Sequence, residues 1–165
     1  MGTQASAEAA RAAANDIRRL VRALRDSASA AQRAVGVSGA QLYVLRQLAQ
    51  VPGLSINELA ARTLTHQSSV SVVAQRLVDA GLAGRRRGVD ARRVELHLTA
   101  KGRRLLERAP EPFQERLLAA LQRLPKAKGV RLAEGLTALV AELHLADAEP
   151  EMFLEEPADR RAKRR

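Results

Sequence analysis

The sequence predicts a mainly α-helical chain with a small β-hairpin, and three observations carry that expectation. Apolar residues recur in steps of three and four along most of the chain, which is the period of one helical face. One short run breaks the pattern: Val94, Leu96 and Leu98 alternate with Glu95 and His97, the two-residue period of a half-buried strand. The apolar share is 46% with only 2% aromatic, so the core must be built from Leu, Val and Ala, a composition that favours helices. At 165 residues the chain is about one domain long.

Residues 1–15 are Ala-rich and read as a flexible lead-in. Ile17, Leu20, Val21, Leu24, Ala28, Ala31 and Val35 then mark one face of a helix over 16–36, which Gly36 can end. Ser38 with Gln41 three residues later forms a capping box and starts a second helix near Gly39, stopped by Pro52-Gly53. Ser55 with Glu58 repeats the signal for a short helix over about 55–62. Thr65 can cap the next helix, whose apolar positions are Val70, Val73, Ala74 and Leu77. Strands over about 82–87 and 94–98 form the hairpin. Thr99 caps a third long helical stretch, which Pro110 and Pro112 should kink or break, and a last helix starts near Lys126. Residues 147–165 are bipolar, four glutamates before a basic run, and read as a disordered tail.

Lys and Arg number 28 against 18 Asp and Glu, a formal charge of +10 that points to an anionic partner. The scarcity of rings argues against single-stranded nucleic acid, which is held by stacking. With no cysteine there is no disulfide, thiolate metal site or thiol nucleophile. His66, His97 and His144 are too scattered for a ligand set, so no metal or cofactor is expected. No nucleophile, base and orienting acid can be grouped and no Gly-rich phosphate loop occurs, so the chain is not read as an enzyme. No run of about 18 apolar residues exists to span a membrane, and a cytoplasmic protein is expected.

Two short helices followed at once by an arginine-rich hairpin make a winged helix-turn-helix, residues 37–98, whose second helix enters the major groove of double-stranded DNA. A helical wheel puts Ser68, Ser71, Val72 and Gln75 opposite the apolar side. Ser and Gln exchange hydrogen bonds with base edges, and Val72 can meet a thymine methyl. Gln67, Ser68 and Ser69 sit at the helix N-terminus, where free N–H groups can hold a phosphate, and Arg76 is a candidate for a phosphate or a guanine. Arg86, Arg92 and Arg93 on the hairpin suit a narrow minor groove and its phosphates, with Asp90 orienting Arg92 across the turn.

Four stretches carry a family resemblance: Leu-Ser-Ile-Asn-Glu-Leu-Ala at 54–60, Ser-Ser-Val-Ser-Val-Val-Ala-Gln-Arg-Leu-Val at 68–78, Ala-Gly-Leu at 80–82, and Asp-Ala-Arg-Arg-Val-Glu-Leu-His-Leu-Thr-Ala-Lys-Gly at 90–102. Together they resemble the multiple-antibiotic-resistance regulator (MarR) family of bacterial transcription factors over about residues 15–145. The resemblance implies a triangular homodimer on a pseudo-palindromic operator, usually a repressor released by a small anionic or phenolic effector. It also implies that the N-terminal helix and the C-terminal helices, 99–146, interlock as a dimerisation lobe. Pro110 and Pro112 depart from the family pattern, which has one long helix there, and the lack of Cys separates this chain from the thiol-based sensing branches. No effector-binding residue is named by the sequence. The competing reading is a low-specificity architectural DNA-binding (nucleoid) protein, for which the uncharged helix face is a poor fit. A winged-helix module that binds protein is the third, and the five wing arginines, Arg85, Arg86, Arg87, Arg92 and Arg93, suit it badly.

Overall fold

The computed structural model describes residues 2–88 and 93–146. Helix α1 runs Gly2–Val35, α2 Gly39–Gln50, α3 Ile56–Thr63 and α4 Gln67–Asp79. Strands β1 (Ala83–Arg87) and β2 (Val94–Leu98) pair antiparallel with Ala83 opposite Leu98 and Arg87 opposite Val94. Helices α5 (Ala100–Leu106), α6 (Phe113–Arg123) and α7 (Lys126–Glu142) complete the chain. No helix among the described residues is long and apolar enough to cross a membrane.

Both capping boxes form. The Ser38 hydroxyl accepts from the Gln41 N–H while the Gln41 side chain accepts from the Ser38 N–H, and Ser55 and Glu58 do the same at α3. Gly36 takes a left-handed φ of 70°, which only glycine adopts without strain, and α1 stops there. Two expectations need amendment. Helix α1 already begins at Gly2, because an alanine-rich run has the highest helix propensity and needs no amphipathic face to continue a helix that packs further on. The N-cap of α4 is His66, with no side-chain capping bond, whereas Thr65 lies in the preceding turn and its N–H bonds back to the Ala60 carbonyl. The prolines at 110 and 112 break the helix outright: α5 ends at Leu106 and α6 starts after Pro112.

One core holds the helix-turn-helix together. Leu42, Leu45 and Leu48 of α2 meet Leu59 of α3, Val70, Val73 and Leu77 of α4, and Leu96 of β2, all essentially sealed from water. The side chain of Tyr43 belongs to this core too, and burial raises its phenol pKa. The Leu96 N–H donates to the Leu54 carbonyl at 2.8 Å, so the segment between α2 and α3 adds a third edge to the hairpin. The hairpin is thus fixed to the helices on two sides.

The flanking helices behave differently. Ala31 and Leu118 are buried against the core, and the Phe113 N–H donates to the Ser27 hydroxyl, joining α1 to α6. Ile17, Leu20 and Val21 of the same α1 stripe are exposed, and α7 buries no residue at all. The leucine stripes therefore divide into a half that packs within the chain and a half that does not.

Candidate nucleic-acid interface

Helix α4 presents the face that the wheel places outward. Gln67, Ser68, Ser71, Val72 and Gln75 are exposed while Val70, Val73, Ala74 and Leu77 are buried, so three-residue and four-residue steps alone decide which side chains are offered. Ser69 and Arg76 are half-buried and already engaged in contacts within the protein. The offered surface is small and uncharged, which lets a helix approach base edges without desolvating an unpaired charge.

Gln75 is held at both ends. Its amide Nε2 donates to Asp79 Oδ1 at 2.6 Å, and Arg85 Nη2 of β1 donates to its Oε1 at 2.7 Å. These bonds fix the amide's orientation, and they use one N–H and one lone pair, leaving the other N–H and the other lone pair of the group. Sequence reading missed Arg85 in this role because nothing local links residues ten apart across a turn.

On the hairpin, Arg85, Arg86 and Arg87 are exposed along β1. Asp90 and Arg92, read as the orienting pair at the turn, lie outside the described residues. Arg93 reaches from the hairpin to α3. Its Nη2 donates to both Glu58 oxygens, at 2.8 and 2.6 Å, and its Nε lies 3.6 Å from Glu95 Oε1. Glu95 in turn reaches His97 Nε2 at 3.3 Å. Glu58, Arg93, Glu95 and His97 thus form a row of alternating acidic and basic side chains along the hairpin.

Glu58 accepts from the Ser55 N–H and hydroxyl, and these bonds, ahead of the Arg93 guanidinium, hold its carboxyl below the usual carboxylate range. A carboxyl lowered on folding contributes stability that is complete above its ordinary value and is lost as pH falls through the lowered one. The charge partner of Glu58 was not legible locally, since Arg93 lies 35 residues away.

Arg86 also lines a hollow of about 320 Å³ between the end of α2, the hairpin and α5, together with Leu48, Ala49, Pro52, His97, Leu98 and Arg103. Its wall combines apolar side chains with the Arg86 and Arg103 guanidinium groups and the His97 imidazole.

The comparisons with known proteins agree with this architecture. The model described as MarR family matches residues 35–93. An HTH-type transcriptional repressor of Mycobacterium tuberculosis is 38% identical over 87 residues, which cover 52% of this chain and 63% of the relative. The chain thus spans about three-fifths of the length of the curated relatives it matches. Among solved structures, the transcriptional regulator BldR from Sulfolobus solfataricus superimposes with a TM-score of 0.54 at 21% identity, covering 82% of this chain and 96% of the other. The S. aureus MepR–DNA complex gives a TM-score of 0.53 at 20% identity, covering 77% and 94%. At such identities these two structures establish the fold. The winged helix-turn-helix of this chain is, over residues 35–93, similar to the MarR family.

Proposed function

We propose that this protein is a sequence-specific DNA-binding transcriptional repressor that works as a homodimer on a pseudo-palindromic operator and is released by a small anionic or aromatic effector. The observation that carries the reading is the pairing of an uncharged, small-residue face on α4 with a row of exposed arginines on the adjoining hairpin. Cations neutralise phosphates on any duplex, whereas polar groups at base edges choose among duplexes. A coat protein with no sequence preference has no use for the uncharged half.

Several further observations support parts of the reading. The curated relatives are named transcriptional repressors, and MepR has been solved on DNA with a similar fold. The exposed leucines of α7 and the exposed apolar residues of α1 supply a surface for a second copy. For the effector, the hollow beside Arg86, His97 and Arg103 has the volume and the cationic, apolar wall that a small organic anion requires. In this account Gln67, Ser68, Ser71, Val72 and Gln75 read bases, with Ser69 and Arg76 beside them, while Arg86 and Arg92 hold phosphates or the minor groove and Asp90 orients Arg92.

Gln75 gives the sharpest test. With its remaining N–H and lone pair it can make the two-point contact that adenine takes from an amide. Gln75→Ala is expected to cost about 1–3 kcal/mol at one base pair of the operator and to flatten preference at that pair alone. A uniform loss over all sequences, measured by titrating singly substituted operators, would instead assign Gln75 to wing support through Arg85.

A further inference from the structure

We propose that Glu58 and Arg93 form a latch that sets the attitude of the wing, so that Glu58 is a positioning residue for DNA binding although it touches no DNA. The inference rests on the DNA-binding reading above and adds a residue to it. It also reassigns Arg93 from a DNA contact to a structural hand-hold.

The two capping boxes of this chain make the argument. Both need an acceptor at their fourth position to take the N-cap N–H, and at α2 a neutral amide does this: Gln41 Oε1 accepts from the Ser38 N–H at 2.9 Å. At α3 the same task falls to a carboxylate, whose Oε2 accepts from the Ser55 N–H at 2.8 Å. A charge is therefore not required for capping. At α3 it has a second use, because both carboxylate oxygens are gripped by one nitrogen of Arg93.

The position of Arg93 makes that grip consequential. Its carbonyl accepts from the Gly88 N–H at 2.8 Å, which closes the stem of the hairpin just below the turn residues. Its guanidinium thus ties the stem to the first turn of α3, with Glu95 on its other side. Gly88 fits because a side chain there would run into Glu95 Oε1, 2.7 Å from where a Cβ would sit. The bond between Leu96 and Leu54 anchors the middle of the hairpin, so the latch supplies a second point, nearer the turn, that fixes its pitch against the helices.

Glu58→Gln separates the two roles, since glutamine preserves the capping box as Gln41 does and removes only the charge. Two accounts predict opposite signs. If Arg93 were itself a phosphate contact, removing a nearby negative charge and freeing the guanidinium would leave binding unchanged or tighten it. The latch predicts binding about three- to tenfold weaker by a variant that is still folded at the assay temperature, with loss of hydroxyl-radical protection over the flanking minor grooves and retention of protection by α4. Arg93→Gln should have the same effect, and the double variant should be no worse than either single one. Tighter binding by Glu58→Gln, or additive losses in the double variant, would overturn the latch. If the wild-type chain bound no duplex, the DNA reading would fall. Amide exchange in β1 and β2, faster in Glu58→Gln than in wild type if the latch holds the hairpin and equal if it does not, would still decide the latch.

Discussion

Leu136→Asp combined with Leu139→Asp is expected to turn the protein into a monomer and to weaken binding to a two-half-site operator by at least about a hundredfold, while leaving the helix-turn-helix folded. Helix α7 spans Lys126–Glu142 and buries nothing. Leu132, Leu136, Leu139 and Leu143, between 40% and 57% exposed, follow the 4-3-4 spacing of a packing seam. Ile17, Leu20 and Val21 of α1 and Leu121 of α6 are exposed as well. A chain that leaves so many large aliphatic groups in water gains by covering them with a second copy. Two half-sites joined through one seam bind with the effective concentration of a linked pair, and that advantage disappears with the seam. Sedimentation and operator titration measure both consequences. A variant that stayed dimeric with wild-type affinity would place the interface elsewhere.

Gly102→Ala is expected to destabilise the fold by about 3 kcal/mol, the opposite of what alanine usually does inside a helix. Gly102 sits in the first turn of α5, where its N–H donates to the capping Thr99 hydroxyl at 3.0 Å. A Cβ there would press on the Leu82 carbonyl oxygen and lie 2.7 Å from Leu98 Cδ1. The Leu82 carbonyl cannot yield cheaply, because it accepts from the Thr99 N–H and anchors the end of the wing to the start of β1. Relief requires α5 to lift from the hairpin. The urea midpoint should fall accordingly, and an unchanged or higher midpoint would mean that α5 is free to shift.

Much of this fold can be read locally. The Ser-x-x-Gln and Ser-x-x-Glu boxes announce α2 and α3 because both partners of each capping bond lie within four residues. The switch of period at Val94 announces β2, and the wheel of α4 sorts Ser68, Ser71, Val72 and Gln75 from Val70, Val73 and Leu77. The arrest at Pro110 and Pro112 is equally local.

What escapes local reading depends on distant parts of the chain. Arg93 meets Glu58 only because the hairpin folds back over α3, and Arg85 meets Gln75 only because β1 turns beside α4. From sequence, Arg93 looks like one more member of the basic run, beside the Arg92 that Asp90 is expected to orient. The division of the leucine stripes into core and exposed seam is hidden for the same reason, since periodicity identifies a face without naming what covers it. The single local clue to the latch is chemical: a carboxylate at Glu58 where an amide at Gln41 suffices.

The central claim is that α4 chooses among DNA sequences while the charge on the wing supplies affinity for all of them. A titration of the purified protein near 150 mM salt, against the DNA upstream of its own gene and against a scrambled fragment of equal length, tests it most directly. The account predicts a preference of at least about a thousandfold for the native fragment. Equal binding to that fragment, to the scrambled one and to every sequence in a randomised pool would contradict it, and would leave the chain an architectural DNA-binding protein.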